Sequence, residues 1–171
     1  VNRAFHSPLM SEAAEVLETF LRDVNIHSPK IPVTSNVTGT WMGEDMLQTK
    51  YWGDHMRGTV RFVENVKCLS QWLPTSVIEV GPGSTLCKLM TKCYSHAQSN
   101  KKEAEQEEDE NEEENEKEDT SMMMAKLPQL VPSMRHPKAT DVTDTRVFQT
   151  MLGRLWCNGV SCDWNKYHRT R

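Results

Sequence analysis

The chain has 171 residues, of which 37% are hydrophobic and 26% charged, with a formal charge of −4; this length bounds it to one domain, or one domain with an appendage. Residues 101–119 hold 12 of the 24 acidic residues against three lysines, so a mildly basic sequence is interrupted by a polyanionic stretch. No apolar run approaches the ~18 residues needed to cross a bilayer, the first residues lack the charged-then-apolar order of a secretory signal, and five cysteines without a Cys-x-x-Cys pair fit reduced cytoplasmic thiols better than a disulfide framework or a zinc site.

The sequence opens on Val1 instead of Met and is expected to be a piece of something longer. Ser7-Pro8 reads as a helix start, with Ser as N-cap and Pro at the first helical position. Ala13, Val16, Leu17, Phe20, Leu21 and Val24 then recur at three- and four-residue spacing, predicting an amphipathic helix to about Asp23. Ile31-Pro32-Val33-Thr34-Ser35-Asn36-Val37 reads as a short strand turned at Gly39. A second helix is predicted from about Leu47 to Arg57, ended by Gly58, and a third carries Phe62, Val63, Val66, Leu69 and Leu73 before Pro74. Ser76-Val77-Ile78-Glu79-Val80 is a β-branched run between Pro74 and Gly81, read as a buried strand. Gly81-Pro82-Gly83 makes a tight turn and Ser84 caps a further helix. This order is that of an α/β protein.

From about residue 97 to 124 the composition changes. Like charges repel, and no apolar face offsets the entropy of ordering the backbone, so the stretch reads as a disordered spacer. Leu127–Met134 has two prolines and reads as extended chain. Val147, Met151, Leu152, Leu155 and Trp156 form a helical stripe ended near Gly159, and Val160–Trp164 reads as a short strand or extended tail. The resulting organisation is 1–96, 97–124 and 125–171.

Two motifs fail as sites. Gly81-Pro82-Gly83-Ser84-Thr85-Leu86 has Leu where a dinucleotide-binding turn needs Gly or Ala. Gly159-Val160-Ser161-Cys162-Asp163 has Asp where a nucleophile elbow needs its second Gly. His6 is the stronger candidate. It immediately precedes the predicted helix start, where the partial positive charge of a helix N-terminus disfavours a second proton on an imidazole, so a histidine there suits a general base.

Ala4-Phe5-His6-Ser7-Pro8-Leu9-Met10 resembles the histidine motif of the malonyl-CoA:acyl-carrier-protein transacylase family, and more narrowly of the acyltransferase domains of type I polyketide and fatty acid synthases. The resemblance continues in order through Ile31–Gly39, Tyr51-Trp52, Arg57, Val60-Arg61-Phe62 and Glu79-Val80-Gly81-Pro82-Gly83. Val131–Arg135 and Leu155–Trp164 resemble the linker that follows this domain in modular synthases.

The resemblance implies the C-terminal portion of an α/β-hydrolase-like acyltransferase domain with a small ferredoxin-like subdomain, then the acidic insert and a linker with one helix. It implies a serine in a Gly-His-Ser-x-Gly elbow that attacks a malonyl thioester, with His6 as general base and acid. These 171 residues hold no such elbow, so turnover by the chain alone is not expected. His55 matches the position, usually Asn or Gln, whose backbone carbonyl orients the histidine. Phe5, a bulky aromatic just before the histidine, leans toward malonyl over methylmalonyl, because its ring fills the space an α-methyl group would need. The implied substrates are malonyl-CoA and the phosphopantetheine thiol of an acyl carrier protein, with no other cofactor and no metal. Neighbouring synthase domains are the implied partners, and neither nucleic acid nor membrane is. An acyl carrier protein is usually acidic, so the acidic insert should repel it. The alternative is a non-catalytic structural or interaction remnant of a synthase module.

Overall fold

A computed structural model describes residues 4–104 and 127–169, with the backbone alone over 97–104. It divides into two compact units, Val1–Trp72 and Leu73–Arg171.

In the first unit, Ser7 leads into a 3-10 turn, Pro8–Met10, and then helix α1, Ser11–Leu21. The start falls where Ser-Pro predicts it, but the Ser7 hydroxyl donates back to the Ala4 carbonyl (2.7 Å) instead of accepting from the helix. The buried face is also displaced from the predicted stripe: Ala14 is fully buried while Val16 and Phe20 are exposed. A small residue wins this face because α1 packs closely on helix α2, Thr49–Arg57. There Gly53 lies against the carboxylate end of Glu18, which a Cβ would displace.

The predicted strand at 31–37 is reduced to one antiparallel bridge, Thr34 to Trp41. Side-chain chemistry takes the backbone out of a ladder. The buried Ser35 hydroxyl accepts from Val37 N–H and Thr38 N–H, both at 3.2 Å, and pairs with the Tyr51 hydroxyl at 2.9 Å. Ser and Thr hydroxyls offer the backbone such local alternatives. The turn closes through Ser35 N–H to Thr40 O (2.7 Å) and Gly39 N–H to Ser35 O (2.8 Å). Gly39 sits at φ +75°, and a Cβ there would stand 2.6 Å from Glu64 Cβ, so only glycine fits. Glu64 belongs to helix α3, Phe62–Ser70, which buries Asn65, Val66, Cys68 and Ser70.

The second unit is built on two parallel strands, β1 (Ser76–Pro82) and β2 (Gln129–Met134), registered from Ser76 opposite Gln129 to Pro82 opposite Met134. β2 falls within the stretch read as a following linker. Helix α4, Thr85–Ala104, continues past residue 96; the remainder of the acidic stretch lies outside the described residues. Helix α5, Asp144–Cys157, packs Met151 and Leu155 on Val131, its Thr143 hydroxyl capping Arg146 N–H at 3.2 Å. A short helix α6, Trp164–Arg169, follows it. The strand expected to be buried is present but largely open: Ile78 is 42% and Val80 87% exposed.

Glu79 is the inward exception on β1, and it fastens the strand to the helix that follows. Its carboxylate accepts Leu86 N–H at 3.1 Å and Cys87 N–H at 2.9 Å, two of the unpaired donors of the first turn of α4. Burial pushes the Glu79 carboxyl up, but these N–H bonds outweigh it and hold the group below its ordinary 4.5. The same carboxylate, after burial, helps push the Cys87 thiol up to about 11, which keeps it protonated. Ser133 spans the irregular register beyond Glu79 by donating to the Glu79 carbonyl at 2.8 Å.

A helix-capping carboxylate contributes about 1 kcal/mol, so Glu79→Gln should speed amide exchange of Leu86 and Cys87 by about fivefold. The lowered carboxyl also means that this contribution is present above about pH 4.5 and lost as the pH falls below it. Unchanged exchange at Leu86 and Cys87 in the variant would refute the capping role.

Candidate active site

His6 precedes the 3-10 turn in a left-handed conformation, φ +57°, which costs a non-glycine residue about 1–2 kcal/mol. Its backbone N–H holds it there by donating to Met56 O at 3.1 Å. The ring is set by the same stretch of chain. Nδ1 lies 3.2 Å from both His55 O and Gly58 O. Carbonyl oxygens only accept, so Nδ1 carries the proton and Nε2 keeps the lone pair. Among the described residues no hydrogen bond claims Nε2. The ring is exposed.

His6 immediately precedes the helix start, as expected, but its ring is bonded to carbonyls at the end of α2. The two carbonyls orient the ring, as a buried carboxylate does in other acyl-transfer sites.

Gly58 fixes where these carbonyls point. Its N–H donates to Asp54 O at 2.7 Å, and a Cβ at this position would stand 2.7 Å from that same oxygen. Any larger residue must shift backbone next to the His6 contact.

His55 lies in the last turn of α2, half-buried, its ring 6.0 Å from that of His6 and nearly perpendicular to it. Its main-chain carbonyl contacts His6; its side chain points to a different partner. Asn36 Nδ2 donates to His55 Nε2 at 3.1 Å, and Asn65 Nδ2 donates to Asn36 Oδ1 at 2.6 Å. Burial first, and the neighbouring His6 second, push the His55 imidazole below its ordinary 6.5. Phe5, the third sequence-predicted residue, stands beside His6 in the chain and is 56% exposed.

Asn36, Asn65 and Gly58 are the site residues that sequence reasoning missed. Asn36 sat within a recognised landmark without a role, and Gly58 was read only as a helix stop. Asn65 carried the one usable signal, an amide between the apolar positions Phe62 and Val66.

Around Gly58 a cleft of about 440 Å³ is lined by Val37, Arg57, Arg61 and Glu64, among others. Its charges are largely matched: Arg57 donates to Asp54 at 2.6 Å and Arg61 pairs with Glu64 at 3.0 Å.

Comparison with known proteins identifies the class. The acyl transferase domain family matches residues 1–151, and the chain belongs to that family. The chain is similar to the acyl transferase domain of ZmaA (TM-score 0.71, 26% identity, 96% of this chain and 31% of that one). It is also similar to the acyl transferase domain of SpnD in complex with 2-(pent-4-yn-1-yl)malonyl (TM-score 0.68, 29% identity, 92% of this chain and 31% of that one). Among sequence relatives, the polyketide synthase Pks15/1 of Mycobacterium bovis is 41% identical over 86 residues, 50% of this chain and 4% of that protein. A phenolphthiocerol/phthiocerol polyketide synthase component of Mycobacterium tuberculosis is 26% identical over 162 residues, 94% of this chain and 9% of that protein. The α/β fold is thus that of polyketide synthase acyl transferase domains, and the chain spans about a third of the solved domains it matches.

The lowered His55 value has a sign for stability. As the pH falls, the unfolded chain takes up the proton first, near 6.5, so the stability is whole above that pH and declines below it. Protection of the α2 amides should weaken as the pH falls below about 6.5 in the parent and do so less in His55→Gln. Equal slopes in the two proteins would refute the effect of burial on His55.

Proposed function

We propose that this chain supplies the general base of an acyltransferase that moves a malonyl-type group from coenzyme A to an acyl carrier protein in polyketide or fatty acid biosynthesis. The observation that carries this reading is the fork from His6 Nδ1 to His55 O and Gly58 O, both at 3.2 Å. A ring so held has one defined tautomer, a lone pair on Nε2 and carbonyl support for the charge that proton transfer creates.

In this reading His6 Nε2 takes the hydroxyl proton of a serine outside these 171 residues as that oxygen attacks the malonyl thioester carbonyl. The tetrahedral adduct collapses, the C–S bond breaks, and the departing coenzyme A thiolate receives the proton from Nε2. The acyl-serine is then attacked by the phosphopantetheine thiol, which yields its proton to the same nitrogen. His6 returns that proton to the serine oxygen as the ester bond breaks. No net proton or electron is consumed, so one imidazole with one fixed partner set suffices. Both reactant and product are thioesters, and the site's task is to lower the barrier and keep water from the acyl-serine. His55 acts through its carbonyl, which explains why a histidine can replace an amide side chain there.

Against the alternative, a non-catalytic remnant, stands the combination at His6 of a left-handed backbone, φ +57°, with a ring held by two carbonyls; strained residues concentrate at functional sites. The proposed setting is cytoplasmic, among neighbouring synthase domains.

His6→Ala in the full-length protein that carries this chain should slow malonyl loading by about 10²–10⁴-fold, the usual contribution of a positioned base, as measured by mass spectrometry of the acyl-serine. Loading within about threefold of the parent would sink the assignment. Phe5 is assigned to the acyl pocket: Phe5→Ser should improve methylmalonyl relative to malonyl transfer by about 10–200-fold, the range for one methyl group in a pocket. An unchanged ratio removes Phe5 from the substrate site.

A further inference from the structure

Asn65, Asn36 and His55 form a chain of donors that runs one way. Asn65 Nδ2 donates to Asn36 Oδ1 at 2.6 Å, and Asn36 Nδ2 donates to His55 Nε2 at 3.1 Å. Each link fixes the next. While Asn65 presents its N–H, Asn36 must present its oxygen to Asn65 and its N–H to His55, and the imidazole must then accept at Nε2. Asn65 is 5% exposed, and its own Oδ1 is buried without a partner among the described residues. Main-chain bonds clamp the two asparagines: Arg61 N–H donates to Asn36 O at 3.0 Å, and Asn65 N–H donates to Arg61 O at 3.1 Å.

We infer that Asn36, backed by Asn65, is a positioning residue that holds His55 as a neutral acceptor at Nε2, so that His6 alone exchanges protons with the reacting thioester. This deepens the reading of His6 as the base and rests on it. The difficulty the network resolves is that two imidazoles stand 6.0 Å apart in one site. A proton on His55 Nε2 would meet the Asn36 N–H head on. To accept it, both amides would have to turn over, and Asn65 would then face Asn36 with its oxygen. Burial of His55 works in the same direction.

The other charged groups around His55 are already matched. Asp54 and Arg57 on its own helix pair at 2.6 Å, with Lys50 and Glu18 joined to them. Arg61 and Glu64 at the start of α3 pair at 3.0 Å, and His6 is the titratable group that faces it from the N-terminal segment.

The test uses the full-length protein with 15N-labelled histidine, the His55 signal being identified by its loss in His55→Gln. In the parent, His55 should be protonated at Nδ1 and bare at Nε2. Asn65→Asp does not touch His55, yet its carboxylate cannot donate, so Asn36 must turn and His55 should acquire a proton at Nε2. Asn36→Asp, nearly isosteric, should do the same directly, and it decides the question if the buried carboxylate of Asn65→Asp prevents folding. In Asn36→Asp, kcat for malonyl loading should fall by about tenfold near pH 6 and recover to within about twofold by pH 8.5, as His55 loses its extra proton, with KM for malonyl-CoA unchanged. A His55 signal that keeps its Nε2 bare in Asn36→Asp, or a kcat loss that is the same at every pH, would overturn the inference. Normal loading by His6→Ala is a separate failure: it removes the proposed reaction, and with it the purpose of the network, while the Nε2 state of His55 in Asn36→Asp still decides whether Asn36 holds that ring as an acceptor.

Discussion

Three carbonyl groups at the end of one helix hold the residue on which the proposed chemistry depends. Met56 O takes the backbone N–H of His6, while His55 O and Gly58 O take its ring. A left-handed histidine is tolerated because these bonds over-determine it. The arrangement uses what a helix end has in surplus, since the last carbonyls of an α-helix have no partner within it. One such surplus satisfies the ring, fixes its tautomer and aims negative dipoles at the nitrogen pair that carries the proton.

The carbonyl end is shaped by residues remote from any reaction. Gly58 stops α2 in an extended conformation without a side chain to displace the Asp54 carbonyl. The Ser35 turn, closed by Gly39, delivers Asn36 to the His55 ring and to Arg61 N–H. Ser35 is itself held by Tyr51 of α2, so turn and helix share one buried contact. Small and polar residues decide the geometry here, and apolar burial supplies the setting.

That division explains what was legible in the sequence. Helices were readable because their spacing and stops are local: Ser-Pro before α1, Gly58 after α2, the stripe of α5. The parallel partner of β1 was not, because β2 follows Pro128, carries Pro132 and lies about fifty residues away, and only a tertiary contact makes it a strand. The 31–37 stretch misled in the opposite sense. Its β-branched residues suggest a ladder, but the Ser35 hydroxyl captures the neighbouring N–H groups. For the candidate site, motif resemblance pointed to His6 and His55 and to a main-chain carbonyl contact, and the His6 ring does lie against the His55 carbonyl. It quoted Asn36 only as part of a landmark and did not reach Asn65, because their pairing exists only once α3 lies beside the turn.

The His6 ring shows why position relative to a helix cannot stand in for contact. Read along the chain, His6 adjoins a helix start; in three dimensions its ring is bonded to carbonyls at the end of a helix about fifty residues later. A general base must both lose and hold a proton during one turnover, and carbonyl acceptors serve each state, because Nδ1–H donates to them whether or not Nε2 is protonated. Every group in that fork lies within the first unit, so the proposed base is oriented before any nucleophile or thioester arrives. Such preorganisation is where enzymes gain most from a fixed polar environment.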